Sequence, residues 1–405
     1  MMRYCKLLTC FAAVGMVMGA VFGCSFSAPT QPSSLAQPGA PARAATAESA
    51  SDAAADTWSG MKIDHTMELL YANQFSVDYY ENGCAMITVN EGGRFLVVPG
   101  HTETPQGLPA DVTVIRQPLQ NIYLVATSAM DLFSSLDGVD TITLSGTDAS
   151  GWYIEAARQA MEEGRMIYAG KYNAPDYELI LSKSCDLAIE STMIYHSPEV
   201  GEQLEKLGIP VFVERSSYES HPLGRMEWIK LYGVLLGRED LAERRFEEQM
   251  DGLKEVMDQQ ATGKTAAFFY ISSNGYVNVR KSGDYVTKMI QLAGGIYVPQ
   301  GLGENENALS TMNMQMEAFY AAAKDADYII YNSTIDGELN SMDELLAKSS
   351  LMSNFKAVKE GHVWCTEKNL FQETMGLGNM ILDIHRILTE ETPDPGEMTY
   401  LYQLH

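Results

Sequence analysis

A short stretch near the middle of the chain is rich in side chains that can bind a ligand. It contains Arg215, Tyr218, Glu219, His221 and Arg225 in close succession. A guanidinium group binds carboxylate-like oxygens in a fixed fork, and phenol, imidazole and carboxylate groups add hydrogen bonds. This grouping predicts part of a ligand-binding site, although Arg225 can also form a local ion pair with Glu227.

Further candidates directly follow segments that have the pattern of β-strands. They are Lys171, Tyr172, His196, Ser273, Tyr276, Arg280 and Lys281. Ligands of parallel α/β sheets bind outside the carboxyl ends of the strands, so these residues are predicted to line the same site. The histidines are scattered without the spacing of metal ligands, and no metal site is predicted.

No catalytic motif stands out in the sequence. The GxSxG elbow, the HExxH zinc motif and the EF-hand loop are all absent. Neither an enzyme nor a resident cofactor is therefore predicted, and binding is the expected activity.

Length and charge narrow the class of protein. The 405 residues are 46% hydrophobic, which is enough for two domains with substantial cores. The formal net charge of −25 repels phosphate backbones and anionic lipid headgroups, so we expect no nucleic-acid partner.

The elements that must position the candidate residues alternate between strand and helix. Residues 74–98 have the alternating pattern of a β-meander, with a type I′ turn predicted at Asn82 and Gly83. From Val112 onward, apolar strands alternate with amphipathic helices, and the same alternation resumes after residue 263. The predicted fold class is α/β, with two Rossmann-like lobes joined by a long helical connector and a β-meander at the front of the first lobe.

The connector is predicted over residues 222–262, between an N-terminal lobe at 58–221 and a C-terminal lobe at 263–405. Pro222 can begin a helix, and Gly237 predicts a kink. Phe246, Leu253 and Met257 belong to an apolar stripe at helical spacing. At about 1.5 Å per residue, the part after Gly237 predicts a strut of roughly 35 Å.

The first residues have the pattern of a targeting segment. A short basic region and an apolar run occupy residues 1–23, and a small residue immediately precedes Cys24. This order predicts a lipoprotein signal peptide with lipidation at Cys24, followed by a disordered tether over 24–57; an ordinary secretory signal is the alternative. Cys84, Cys185 and Cys365 then remain, which permits one disulfide at most.

Three groups of segments resemble one known family. Residues 174–181 (APDYELIL) with 185–190 (CDLAIE) carry the likeness in the first lobe, and 279–285 (VRKSGDY) with 293–295 (AGG) begin it in the second. Residues 316–320 (MEAFY), 327–331 (DYIIY) and 355–364 (FKAVKEGHVW) complete it. In this order, and together with the Cys24 motif, they resemble the substrate-binding lipoproteins of ABC importers for iron–siderophore complexes, haem and cobalamin.

The resemblance implies a function. It implies a lipid-anchored protein on the extracytoplasmic side of the cell membrane, which captures an iron(III)–siderophore-type complex between two lobes and delivers it to an ABC permease with its ATPase subunits. It also implies that Glu178 and Glu317, one on each lobe, dock to permease arginines. Cobalamin, haem or a metal ion remain alternative ligands, and a surface enzyme acting on such complexes remains an alternative class.

Overall fold

The computed structural model describes residues 61–303 and 311–405. The predicted signal peptide, the predicted lipidation at Cys24 and the predicted tether all lie outside the described residues. Within the two described ranges, every helix is too short or too polar to cross a lipid bilayer.

The first sheet along the chain is an N-terminal sheet, which confirms the predicted meander. Its strands pair in sequence order, antiparallel from β1 to β4 and then parallel between β4 and β5. Alternation places Phe75 and Val77 in the core while Ser76 is exposed. The strands are β1 (Ile63–Thr66), β2 (Phe75–Tyr80), β3 (Ala85–Val89), β4 (Gly93–Val98) and β5 (Val112–Arg116).

The predicted type I′ turn between β2 and β3 is wrong. Such a turn needs positive φ at both central residues, whereas only Gly83 (φ +83°) has it and Asn82 does not. Gly83 N–H donates to Tyr80 O at 2.8 Å and Tyr80 N–H donates to Cys84 O at 2.9 Å. The loop is therefore one residue longer than predicted, and its glycine forms a G1-type bulge.

The first lobe is built on a five-stranded parallel sheet in the order β12-β11-β6-β7-β8, with β9 and β10 in a separate small hairpin. Helices connect the strands, as the alternating pattern predicts. The elements are β6 (Ile122–Leu124), α1 (Met130–Ser135), β7 (Ile142–Ser145), α2 (Glu155–Glu162), β8 (Ile167–Tyr168), β9 (Gly170–Lys171), β10 (Ala174–Pro175), α3 (Tyr177–Ser182), β11 (Leu187–Ser191), α4 (Pro198–Lys206) and β12 (Val211–Glu214).

The connector consists of three helices and not of one straight strut. They are α5 (Pro222–Glu227), α6 (Ile229–Leu236) and α7 (Glu239–Met257). Helix α7 doubles back along α6. Lys230 Nζ of α6 lies 3.0 Å from the carboxylate of Glu243 and 5.0 Å from the ring centre of Phe246, both of α7. The almost wholly apolar α6 must be covered on every side, which a single extended helix cannot provide.

Gly237 makes this reversal possible. It caps α6 in the left-handed conformation, with φ +65° and ψ +40°.

We expect Gly237→Ala to lower the free energy of unfolding by about 1 kcal/mol, since a side chain in this region meets the following carbonyl. Urea unfolding measures the loss. The matched control is Gly252→Ala inside α7, where a Cβ has open space and the substitution favours the helix; equal effects of the two changes would contradict this role for Gly237.

The second lobe has a seven-stranded mixed sheet in the order β16-β14-β13-β17-β18-β19, with β15 also paired to β13. Strands β15, β13, β17 and β18 run parallel. The elements are β13 (Thr265–Ile271), β14 (Val277–Arg280), α8 (Tyr285–Leu292), β15 (Ile296–Val298), β16 (Thr311–Met314), α9 (Met316–Ala323), β17 (Tyr328–Tyr331), α10 (Ser333–Asp336), α11 (Met342–Lys348), α12 (Lys356–Glu360), β18 (Val363–Thr366), α13 (Leu377–Thr389) and β19 (Leu401–Gln403).

One hydrophobic core runs through the connector into both lobes. It joins Phe75 of the N-terminal sheet, Leu124 of the first lobe, Trp228 and Leu231 of the connector, and Ile384 of α13. The lobes are therefore fastened by packing as well as by the chain itself, which limits their freedom to separate.

Candidate functional site

The carboxyl ends of the parallel strands carry large side chains that water can reach. In the first lobe, Tyr153 follows β7, and Met193 and Tyr195 follow β11; in the second, Tyr276 follows β13 and Ile335 follows β17. Between 38% and 59% of each residue is exposed. Exposed large side chains at the carboxyl ends of parallel strands are typical of a ligand site.

The strand ends of the two lobes face each other. Gln372, after β18, accepts the N–H of Tyr153 at 2.9 Å and donates to Gly151 O at 2.8 Å. Thr374 Oγ1 donates to Ser128 O, just beyond β6, at 2.7 Å. These bonds join strand-end loops of one sheet to those of the other. We call the strand-end surface beside this junction the cleft edge, because it is where we expect a cleft between the lobes.

Asp131 adds a charged contact at the same junction. Its carboxylate accepts the N–H of Met375 at 2.7 Å, directly before α13. Burial raises the pKa of Asp131 from 3.8 to about 6, although the backbone N–H groups of Met375 and Gly376 act in the opposite direction. The carboxyl group therefore changes charge in mildly acidic solution.

The raised pKa predicts a pH-dependent difference between the wild type and Asp131→Asn. Asp131 favours the folded state below pH 3.8 and loses that contribution as the pH rises through about 6. The variant, which cannot ionise, should gain about 2 kcal/mol of stability relative to the wild type between pH 4 and pH 7. Urea unfolding of both proteins at the two pH values measures the change. A difference that does not vary with pH would contradict the raised pKa.

Arg215 lies at the edge of this cleft, where β12 ends. Its guanidinium donates to the hydroxyl of Tyr195 and to the carboxylate of Glu91, each at 3.0 Å, and packs 4.2 Å from the ring centre of Tyr218. Nε has no hydrogen-bond partner among the described residues. Arg215, Tyr218 and the exposed Tyr195 thus come together, as predicted for the first two.

The remaining candidates of that stretch have structural contacts. Arg225 lies 3.5 Å from the ring centre of Tyr285 and donates to Ser217 O and Glu219 O. It does not pair with Glu227, which binds Lys230 at 3.4 Å.

His221 caps α5 by accepting the N–H of Leu223 at 3.2 Å, and it stacks on Tyr71 at 4.8 Å. Burial, with a smaller effect of Lys288, lowers the pKa of His221 to about 4. Glu219 accepts N–H groups of Asn73 and Gln74 and is buried. These contacts hold the joint between the N-terminal sheet and the connector, and they occupy the groups that the sequence predicted for a ligand.

The second-lobe candidates divide into two sets. Ser273 and Tyr276 are exposed in the β13–β14 hairpin, at the strand-end edge. Arg280 instead pairs with the buried Asp284 at 3.3 Å and lies 5.5 Å from the ring of Phe371. Lys281 is half-buried beside it.

Three first-lobe candidates are accessible. Lys171 is exposed in β9, and Tyr172 beside it is half-buried against the small core under the parallel sheet. His196 is exposed at the end of the turn that carries Tyr195. None of the three is removed from the cleft edge by an internal contact of the kind that holds Arg225.

Glu178 and Glu317 occupy corresponding positions in the two lobes. Each is exposed in the first turn of a helix, α3 or α9, that leads into a central parallel strand. The turn before each of these strands contains an aspartate that binds the start of a neighbouring strand. Asp186 accepts N–H groups of residues just before β6, and Asp327 accepts that of Thr265 at the start of β13. Neither glutamate forms an ion pair within residues 61–303 and 311–405.

Glu190 is a buried carboxyl group that the sequence did not single out. It lies near the end of β11, and neither of its oxygens has a hydrogen-bond partner in the part of the chain that the structure describes. Burial raises the pKa of Glu190 to about 8, so the group is mostly neutral at pH 7. A neutral acid can stay in this place without a cation beside it.

The described residues contain no cluster suited to a bare metal ion. Nowhere among them do three or more His, Cys, Asp or Glu side chains gather with ligand geometry. Cys84, Cys185 and Cys365 are free thiols, so the single disulfide that the sequence permitted is not formed.

An open groove of about 630 Å³ lies away from the cleft, between β1 and the connector. His65, Tyr79, Glu239 and Glu243 line it, with the buried Lys230 at its base. Lys230 is already paired with Glu227 and Glu243. The groove therefore offers no unpartnered buried charge, among the residues described, to a ligand.

Sequence reasoning missed the apolar part of the cleft edge. Tyr153, Met193, Tyr195 and Ile335 come between two and eight residues after the end of a parallel strand. The signal for them was present, because a large apolar residue at such a position has no helix to cover it.

Known proteins share this architecture. A profile of the family described as periplasmic binding protein matches residues 127–370. An uncharacterized lipoprotein of Methanocaldococcus jannaschii is 26% identical over an alignment of 355 residues, and the alignment covers 80% of this chain and 83% of that protein. The N-terminal sheet precedes the region that the family profile matches.

Solved structures have the same fold. A periplasmic haem-binding protein from Pseudomonas aeruginosa superposes with a TM-score of 0.53 at 17% identity, covering 71% of this chain and 98% of its own. For the periplasmic catecholate-siderophore binding protein VctP of Vibrio cholerae the TM-score is 0.51 at 15% identity, with 67% and 94% covered. The likeness confirms the predicted α/β fold, and, with a profile match over more than half of its length, the chain belongs to the periplasmic binding protein family.

Proposed function

We propose that this protein is the substrate-binding lipoprotein of an ABC importer and that it carries an anionic iron(III) chelate of the siderophore type between its lobes. The observation that supports the proposal is that exposed Tyr153, Met193, Tyr195, Tyr276 and Ile335 follow strands of the two sheets. A chelate buries a charged metal inside an organic shell, and aromatic and aliphatic side chains bind the outside of such a shell.

The cations at the cleft edge fit an anionic chelate. Arg215 and Lys171 are first-lobe candidates, and Ser273 and Tyr276 supply hydroxyl groups from the second lobe. The solved binding proteins with this fold include one for haem and one for a catecholate siderophore. We retain Tyr172, Tyr218, His196 and Lys281 as further contacts, and we assign Arg225, His221 and Arg280 to holding the site in place.

The same proposal makes Glu178 and Glu317 the docking residues. Two exposed carboxylates, unpaired within the described part of the chain and at corresponding places of two lobes, suit a permease with approximate two-fold symmetry and arginines at matching positions. Lipidation at Cys24 would hold the protein at the extracytoplasmic face of the membrane, with residues 24–57 as the tether to a first lobe over 58–221, a connector over 222–262 and a second lobe over 263–405. Delivery then requires no chemistry on the ligand.

Titration of the purified protein tests the proposal. Tyrosine and tryptophan fluorescence is followed while a ferric tricatecholate complex, hemin or cyanocobalamin is added. We expect saturation by an iron complex at one molecule per chain, because Tyr153 and Tyr195 border the cleft, and full recovery of the unchanged ligand afterwards. No response to any of the three would refute the iron-complex proposal, and conversion of the ligand would favour a surface enzyme.

A further inference from the structure

The N-terminal sheet lies outside the region that matches the family, yet it contributes a charge to the cleft edge. The turn between β3 and β4 places the carboxylate of Glu91 3.0 Å from Nη2 of Arg215, across 124 positions of sequence. Arg215 is the cation at the end of β12 and also donates to the exposed Tyr195. An element outside the matched region therefore touches the proposed ligand site.

The turn is shaped for this approach. Glu91 has φ +53°, in the left-handed region that non-glycine residues rarely adopt. A Cβ on Gly92 would lie 2.7 Å from Cγ1 of Val89 and 3.2 Å from Cδ of Arg215. Glycine at position 92 lets the backbone of the turn come this close to Arg215, and the turn thereby brings Glu91 within reach of the guanidinium.

The two partners of this ion pair differ greatly in exposure. The Arg215 side chain is 5% exposed, whereas that of Glu91 is 84% exposed. Glu91 can leave at little cost, because water solvates its carboxylate and an exposed carboxylate gains little from such a pair. Arg215 cannot follow into water and needs another acceptor when Glu91 leaves.

We propose that Glu91 is a displaceable counter-ion that occupies Arg215 in the empty protein and is replaced there by an anionic oxygen of the ligand. The proposal rests on the proposed function and adds a source of specificity to it. A ligand with an anionic oxygen replaces the charged acceptor that Arg215 loses. A neutral ligand in the same place leaves the buried guanidinium without a charged acceptor. The N-terminal sheet thereby selects for charge at a site that the two lobes alone would form.

Removing the competing carboxylate tests the proposal. Asparagine at position 91 tolerates positive φ, is uncharged and is too short to reach Arg215. We expect Glu91→Asn to tighten binding of a ferric tricatecholate complex by about two- to fivefold, the factor that one exposed ion pair is worth. The control is Glu81→Gln on the β2–β3 hairpin, which removes an equal charge from an exposed pair with Lys62 and should leave the affinity unchanged. Unchanged or weaker binding by Glu91→Asn would overturn the proposal.

A second measurement needs no ligand. Phenylglyoxal modifies accessible guanidinium groups. Mass spectrometry of the digested protein measures the modification of Arg215 separately from that of the other arginines. The rate at Arg215 should rise severalfold in Glu91→Asn and stay at the wild-type value in Glu81→Gln. Equal modification rates of Arg215 in all three proteins would refute the role of Glu91 as a counter-ion, even if a chelate binds. Failure of the wild type to bind any chelate refutes the proposed function instead, and the modification rate still decides the role of Glu91.

Discussion

Replacing Glu227 with glutamine is expected to lower the free energy of unfolding by about 3–5 kcal/mol, the usual cost of breaking a buried charge pair. The Glu227 carboxylate is fully buried at the start of the connector. One oxygen accepts the N–H of Leu70 at 2.8 Å, and the other accepts those of Tyr71 and Ala72 at 2.7 and 2.8 Å. The Nζ atom of Lys230 lies 3.4 Å from the Glu227 carboxylate.

The physical reason is that glutamine cannot satisfy this set of donors. Its amide NH₂ would face backbone N–H groups that need an acceptor, and Lys230 would lose one of its two carboxylate partners. The segment before β2 would then lose one of the contacts that attach the N-terminal sheet to the connector, while those of Glu219 and His221 remain.

Guanidinium chloride unfolding followed by tryptophan fluorescence measures this loss, since Trp228 lies in the same core. Glu247→Gln is the matched control, because Glu247 is exposed on α7 and the same charge is removed without a buried contact. A loss below about 1 kcal/mol for Glu227→Gln would show that the carboxylate is not the anchor that its contacts indicate.

Reversing both proposed docking charges, with Glu178→Lys and Glu317→Lys together, is expected to reduce chelate uptake to background in cells that depend on this protein. In the proposed docking, each substitution places a cation opposite a permease arginine, so attraction becomes repulsion at two places of the same interface. Both residues are exposed and unpaired within the described ranges, so the fold and the affinity for the chelate should remain unchanged.

The control for this experiment is the pair Glu205→Lys and Glu247→Lys, which changes the net charge equally at exposed positions of α4 and α7. Cells with the control pair should take up the chelate at the wild-type rate. Normal uptake with both docking charges reversed would contradict the role of Glu178 and Glu317, provided that the protein is present at the wild-type level.

The fold could be predicted from local patterns because its elements are locally determined. Residues 187–191 and 328–331 are short apolar runs between helices, and such runs become central parallel strands. The direction of α7 could not be predicted in this way. It depends on how the apolar α6 is covered, and an apolar stripe such as that of Phe246 and Leu253 does not say which neighbour it will meet.

The site was harder to predict than the fold, for a related reason. Arg215 and Tyr218 lie at a strand end, which the alternation of elements locates. Whether a guanidinium is free or occupied depends on partners far away in sequence, as Tyr285 for Arg225 and Glu91 for Arg215 demonstrate. Sequence patterns report the type of a side chain and its place on an element, but not the contacts that use its hydrogen-bond donors.

If a cleft between the lobes holds an anionic iron chelate, the protein should carry that chelate when it is isolated. Native mass spectrometry of the protein isolated from its own cells, without refolding, measures the mass of whatever is bound. We predict one organic iron(III) complex per chain, which is released on unfolding and rebinds to the emptied protein. A protein that carries only a bare metal ion, or a neutral molecule without iron, would contradict the proposal of an anionic iron chelate.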